Sequence, residues 1–452
     1  MSTREDVRRW DVEHVWHPFS QMAEYAETEP LVVVRAEGRT LIDDGGRRLF
    51  DATSALWCNL FGHRVPEIDA AVADQLGRVA HSTLLGATHP PAAELARRLV
   101  EVAPPGLTHV FFSDDGATAV EAALKIAFQH RLLTRGPAAA SRATYLSFEN
   151  AYHGDTLGAA AVGGVALFHE TLRPLLMPAI KVASPYCYRC PIGRTPDDCP
   201  LHRAEQVEEA LARAEGNVCA VVLEPGVQAA AGMLVHPEGF LTRVAESCRR
   251  HGALLVLDEV ATGFGRTGTL FACQREGVTP DLLCLAKGLT GGYLPLAATL
   301  ATDAVYRVFL GRYEEYRHFF HGHTYTGNPL GCAAALATLR LLDAETLAGV
   351  DRKAALLREA LAPLAAHPHV GEVRQIGLMC GVELVRDRAS RAPFAPGERV
   401  GYRLCLSLRD RGVYIRPLGD VIVLMPALNS TDDELRHLSG ALRAALGERF
   451  GG

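Results

Sequence analysis

The sequence predicts an α/β protein: one large domain built on a mainly parallel, helix-covered sheet, and a smaller α/β domain assembled from both chain ends. Three observations predict it. Between about residue 63 and residue 335, short apolar runs alternate with longer helical patterns; the runs are His109–Phe112, Thr144–Phe148, Cys219–Leu223, Ala253–Leu257 and Leu282–Ala286. Strands buried on both faces look like this. The flank Leu31–Asp51 reads differently, as a β-meander with an Asp-Asp-Gly-Gly turn. From about Leu336 the pattern becomes amphipathic helices followed by strand-like Gly377–Val385 and Val413–Leu424. The large domain is accordingly assigned to residues 63–335, and the small one to residues 1–62 and 336–452.

Composition narrows the function. The chain has 452 residues, 48% hydrophobic and 22% charged, the balance of a soluble globular protein. A net charge of −6 without a basic run gives no reason to expect nucleic acid or a membrane surface as partner. The charged stretch Met1–Asp11 lacks the apolar core of a signal peptide, and no apolar run nears bilayer length. Eleven cysteines in such a chain read as reduced thiols, so the expected compartment is the cytoplasm.

Lysine is scarce: Lys125, Lys181, Lys287 and Lys353 stand against forty-two arginines. A lysine retained in this background points to chemistry that a guanidinium cannot do, such as forming an imine. Lys125 and Lys353 fall in helical patterns with polar neighbours, and Lys181 in an exposed-looking strand. Lys287 alone leaves an apolar run (282–286) and enters the glycine-rich Gly-Leu-Thr-Gly-Gly. Desolvation there would lower its pKa toward the free amine.

Two other run ends complete a pattern. Asp258 follows the apolar run 253–257, and a buried acid needs a partner. Ser113–Glu121 (SDDGATAVE) joins the run 109–112 to an alanine-rich helix, whose small first residues let backbone N–H groups approach a phosphate. These are the parts pyridoxal phosphate (PLP) requires. A lysine holds its aldehyde and moves the substrate proton, an aspartate keeps its ring nitrogen protonated, and a helix start binds its phosphate.

With those residues in place, the chain resembles the class III (ω-type) aminotransferases of PLP fold type I nearly end to end. The segments that carry the resemblance are 257–268 (LDEVATGFGRTG), 286–292 (AKGLTGG), 151–156 (AYHGDT) and 323–329 (HTYTGNP). Within the class it is most similar to the biotin-synthetic members, which convert 8-amino-7-oxononanoate to 7,8-diaminononanoate. The pointers are Trp16–Met22, Ala80–Gly86, Tyr152–Thr156 and Ile415–Gly419. The resemblance implies a seven-stranded large-domain sheet and a homodimer with shared active sites. It implies that Tyr152 and Val260 flank the cofactor ring and that Gln228 bonds near its hydroxyl. Gly116 and Ala117 would donate to the phosphate, with Thr324 reaching it from the second subunit. Phe19, Trp57 and Gly322 would border the substrate, and Arg416 would hold its carboxylate. The reactants would be a small amino donor and a keto acceptor.

The chain departs from the best-known members in having Leu56-Trp57 in place of a Trp-Trp pair, and Phe19 and Val423 in place of tyrosines. A branch that uses lysine as amino donor shares this thinner set. The departures tilt the expected donor from S-adenosylmethionine toward lysine. Other readings are an ω-aminotransferase for a different long-chain substrate, an aminomutase, or a zinc-stabilised protein without turnover. The last rests on Cys187, Cys190, Cys199 and His202, whose C-x2-C-x8-C-x2-H spacing suits tetrahedral zinc. Because PLP chemistry needs no metal, none is expected.

Overall fold

The computed structural model describes residues 3–451 other than 29, 191, 194, 196–198 and 200. Its first sheet is the expected meander of β1 (Val33–Glu37), β2 (Thr40–Asp43) and β3 (Arg48–Asp51). Asp43 fixes the turn, its Oδ1 accepting from the backbone N–H of Gly45 (2.9 Å) and Arg47 (2.8 Å).

The central region supplies β4 (Leu107–Ser113), β5 (Thr144–Phe148), β6 (Ala179–Val182), β7 (Val218–Leu223), the short hairpin β8 (Val227–Gln228) and β9 (Leu234–Val235), then β10 (Leu254–Asp258), β11 (Leu282–Leu285) and β12 (Ala297–Thr302). Apart from the hairpin they form one seven-stranded sheet, ordered β4-β12-β11-β10-β7-β5-β6. β12 runs antiparallel to both neighbours, and the other pairings are parallel. Every residue of β7 and β11 is buried, as helix cover on both faces demands. The five expected runs lie within β4, β5, β7, β10 and β11 to within a residue at either end. β12 was not among them: its sequence, Ala-Ala-Thr-Leu-Ala-Thr, has few of the branched residues that mark a strand.

Toward the C-terminus come β13 (Val370–Ile376), β14 (Met379–Leu384), β15 (Val413–Tyr414), β16 (Arg416–Leu418) and β17 (Val421–Leu424). The run expected at Val413–Leu424 is therefore three strands in two sheets. β16 and β17 join an antiparallel sheet ordered β13-β14-β17-β16. β15 instead pairs in parallel with β3, Val413 facing Phe50, so the two chain ends share a sheet. One apolar cluster runs through all of this, taking Leu107, Leu223 and Leu283 from the large sheet and Val382, Ile422 and Leu442 from the C-terminal region. Among the described residues, no helix is long and apolar enough to cross a membrane.

Candidate active site

Parallel strands deliver their carboxyl ends to one side of a sheet, and a cavity lies there. It measures about 750 Å³ and takes Gly116 and Ala117 after β4, Tyr152 after β5, Glu224 after β7, Asp258 at the end of β10 and Lys287 after β11. The parallel register of β10 and β11, with Asp258 opposite Cys284, brings the acid and the lysine side by side.

Lys287 is half-buried and holds a φ of 43°, a left-handed conformation that a lysine adopts only where its surroundings impose it. Its Nζ lies 4.7 Å from the ring centroid of Trp57. Loss of water around it lowers its pKa, while Asp258 and Glu224 pull the other way. The net effect moves it toward the nucleophilic amine.

Asp258 is 4% exposed. Its Oδ2 lies 2.7 Å from Nδ1 of buried His153, and its Oδ1 accepts from the N–H of Val260 at 3.0 Å. Nε2 of His153 is buried without a protein partner among the described residues. Glu224, also 4% exposed, accepts from the N–H of Tyr152 (3.1 Å) and of Ala229 (2.9 Å). Burial pushes its pKa up to about 7, with nearby Asp258 adding to the rise and His153 opposing it.

The helix Gly116–Arg135 starts at the cavity wall. Its N-cap Asp115 takes the N–H of Thr118 at 2.9 Å, and no protein acceptor among the described residues takes those of Gly116 and Ala117. A Cβ on Gly116 would sit 2.6 Å from Val260 Cγ1, and one on Gly154 would overlap Ala117. Both glycines therefore leave space that any side chain would fill. Tyr152 is half-buried, its hydroxyl donating to Asp155 at 2.8 Å, and its pKa is raised by burial and then by that carboxylate.

Opposite lies Trp57, on a segment where Ser54, Ala55 and Trp57 all have positive φ (49°, 59° and 69°). Behind it sits Arg266, 1% exposed, donating to the carbonyls of Trp57 (3.3 Å), Asn59 (3.3 Å) and Pro426 (2.6 Å). Burial lowers its pKa to about 10.

Of the residues singled out from the sequence, the cavity wall gathers Lys287, Asp258, Tyr152, Gly116, Ala117, Val260 and Trp57. Gln228 is not on it. That side chain is 2% exposed, with Oε1 accepting from the Ser184 hydroxyl and Nε2 donating to Glu149 O at 2.9 Å. Thr324 and Gly322 are exposed away from this chain's cavity. Phe19 is exposed and reaches Tyr152 only through Phe168, with ring centroids 5.2 Å and then 5.9 Å apart. Arg416 is exposed and has neither the Asp410 nor the Asp420 ion pair that would make it merely structural; Asp420 accepts from the N–H of Gly401. Lys353, read in a helical pattern with polar neighbours, donates to Leu428 O, and Lys181, read in an exposed-looking strand, donates to three oxygens. Among the described residues, Cys187, Cys190, Cys199 and His202 do not form a group placed to hold a metal.

Sequence reasoning missed His153, Glu224 and Arg266. The first and last stood inside quoted motifs but carried no role. Glu224 follows β7 as Asp258 ends β10, and an acid closing a wholly apolar strand was the signal available.

A buried aspartate beside a desolvated lysine, open helix-start amides and a flat aromatic wall are the chemistry a cofactor site of the aminotransferase kind needs, and these residues fit pyridoxal phosphate. The family model for class III aminotransferases matches residues 22–446, and the chain belongs to that family. It is 53% identical over 442 residues to the adenosylmethionine-8-amino-7-oxononanoate aminotransferase of Nitratidesulfovibrio vulgaris, covering 97% of this chain and 81% of that one. The crystal structure of the enzyme of that name from Methanocaldococcus jannaschii superposes with a TM-score of 0.93 at 43% identity, over 99% of both chains. An (S)-enantioselective ω-transaminase from Thermomicrobium roseum gives 0.93 at 37% identity, again over 99% of both.

Proposed function

We propose that this chain transfers an amino group to 8-amino-7-oxononanoate, giving 7,8-diaminononanoate, with S-adenosylmethionine as donor. The identity to relatives bearing that name supports the reaction, and the placement of Arg416 is the observation that carries the substrate. Arg416 pairs directly with Val423 across β16 and β17, so both side chains rise on one face of the sheet. Val423 belongs to an apolar cluster with Trp57, Ala230 and Ala261, three residues of the cavity wall. A guanidinium with no ion pair among the described residues, beside an apolar surface, suits a carboxylate at the end of an apolar chain.

PLP bound in the cavity supplies an electron sink for the charge left when a proton leaves the amine-bearing carbon. Asp258, held by His153 and the Val260 N–H, keeps the ring nitrogen protonated. Lys287 holds the cofactor and moves the proton at the substrate carbon, its burial lowering its pKa and favouring the free amine that can act as a base. Tyr152 and Val260 flank the ring, and the N–H groups of Gly116 and Ala117 take the phosphate. On this reading Thr324 completes the phosphate site of a second subunit. Exposed Leu85 (90%), Phe320 (77%) and Tyr325 (60%) are apolar groups for such an interface, and light scattering should find a dimer. Residues 63–335 then form the cofactor domain, residues 1–62 with 336–452 the small one, and the site of action is the cytoplasm.

The test is single-turnover conversion of the bound cofactor to its amine form, with S-adenosylmethionine, lysine and common ω-amines in turn, followed by 8-amino-7-oxononanoate. S-adenosylmethionine should convert the cofactor, and the oxononanoate should reverse it. Lysine as donor is the second reading, favoured by Leu56 and Phe19, and it wins if lysine reacts faster. Conversion by neither would overturn the substrate assignment. Arg416→Ala should raise the oxononanoate KM by about 30- to 700-fold, the equivalent of about 2–4 kcal/mol of lost charge-assisted contact, with the donor half-reaction much less changed.

A further inference from the structure

We propose that Glu121 and Lys181 are positioning residues, opposite charges that clamp the two ends of the helix Leu157–Val162 and so fix the cavity-wall segment Tyr152–Thr156 against the helix Gly116–Arg135. The inference rests on the function proposed for the cavity, in which Tyr152 flanks the cofactor and that helix start binds its phosphate.

The segment needs such a clamp. Tyr152–Thr156 brings Tyr152, His153 and Asp155 to the cavity, yet it has no regular secondary structure of its own. It runs into a helix of six residues, Leu-Gly-Ala-Ala-Ala-Val, below the length at which a helix sustains itself. Its N-cap, Thr156, makes no capping hydrogen bond, and the Thr156 hydroxyl is buried without a protein partner among the described residues. Glu121 does the capping from the neighbouring helix, its Oε1 accepting from the N–H of Gly158 (2.7 Å) and of Ala159 (3.3 Å). A Cβ on Gly158 would overlap that carboxylate, so glycine is what admits the contact.

The other end mirrors this with the opposite charge. Lys181 on β6 has an exposed stem, but its ammonium turns inward to Ala161 O (2.9 Å), Gly163 O (2.6 Å) and Ser147 Oγ (2.7 Å). The first two are carbonyls at the helix C-terminus, and the third belongs to β5, the strand that leads into Tyr152. Three protons meet three oxygens, none of them from a carboxylate. Burial lowers the lysine pKa to about 8, so the fold holds this charge at a cost in solvation. A carboxylate at the start and an ammonium at the end is the sense that complements the helix dipole. Glu121 ties the segment to the phosphate-binding helix, and Lys181 ties it to the sheet.

The test uses full-length protein, first without cofactor. Hydrogen–deuterium exchange in residues 150–164 should quicken about tenfold in Lys181→Met and in Glu121→Gln, with β7, β10 and β11 unchanged. The PLP Kd should rise about tenfold in each, and the double variant should add little, because both act through one helix. Lys181→Arg, which keeps charge and donors, should recover most of the affinity. Unchanged exchange in residues 150–164, a rise spread over the whole sheet, or faster local exchange at an unaltered Kd would each overturn the proposal. Should Lys181→Met fail to fold, Glu121→Gln decides alone from the other end of the helix. Failure of the cofactor reading would show separately, as wild type that takes up no PLP while its exchange pattern stands.

Discussion

The floor and the roof of the cavity are built by different means. The floor, with Asp258, Lys287, Gly116 and Ala117, hangs from strand ends of one mainly parallel sheet, and the register of β10 on β11 sets Asp258 beside Lys287. The roof, Ser54 to Cys58, has three residues at positive φ and is held by contacts from far along the chain. Ser54 Oγ donates to Met425 O at 2.8 Å, and Arg266 reaches Pro426, Trp57 and Asn59. On the proposed function, chemistry is concentrated on a floor set by regular structure, where of those four residues only Lys287 holds a left-handed φ. The roof carries three such residues, held in place by a buried cation. Substitutions in the floor should cost rate at nearly constant stability, and substitutions behind the roof should cost stability as well.

The largest effect belongs to Lys287. Lys287→Ala should lose the visible absorbance of lysine-held cofactor and at least about 10⁴-fold in turnover while staying folded. Turnover near the wild-type rate would remove the floor's central residue. Next is Asp258→Asn, whose neutral amide cannot keep the ring nitrogen protonated. Its rate should fall by about 10³-fold and cofactor affinity with it, with a melting temperature of the cofactor-free protein close to wild type. A retained rate would assign the ring-nitrogen role elsewhere.

The roof gives the contrasting case. Arg266→Met leaves three buried carbonyls without a donor and should lower unfolding stability by about 2–4 kcal/mol in urea titrations. The fluorescence of Trp57 should change too. A loss of rate without loss of stability would show that floor and roof are not distinguished in this way.

The sequence exposed these two regions unequally, for a physical reason. β7, β10 and β11 carry continuous apolar runs, and the residues that close or follow them, Glu224, Asp258 and Lys287, land at the cavity, so Asp258 and Lys287 could be read from order alone. The alanine-rich β12 carries too little apolar branching to announce itself. His153 meets Asp258 across 105 residues of chain and Arg266 meets Trp57 across 209, contacts that no local periodicity encodes. Lys181 was read as lying in an exposed-looking strand, and β6 is an edge strand; that its ammonium turns inward depends on carbonyls contributed by another element. Gln228 was assigned to the cofactor on resemblance alone; its amide accepts from Ser184 and donates to Glu149 O.

The last effect is a pH dependence of stability at Glu224, an acid on the cavity wall near Asp258 that takes no step in the proposed chemistry. Glu224 titrates near 7 in the fold against 4.5 for the ordinary side chain. A raised folded pKa contributes stability that is fully present below about 4.5 and is lost as pH rises through about 7. Relative to Glu224→Gln, cofactor-free wild type should therefore lose up to about 3 kcal/mol between pH 4.5 and pH 8. Urea midpoints across that range check it, and a difference independent of pH would mean that Glu224 does not titrate there.

The central claim is that Lys287 is the residue on which the cofactor is held, and four lysines in the chain make it simple to test. Holoenzyme reduced with borohydride, digested and mapped by mass spectrometry should carry one pyridoxyl group per chain, on the peptide containing Lys287. A label on Lys125, Lys181 or Lys353, or none at all, would contradict the account.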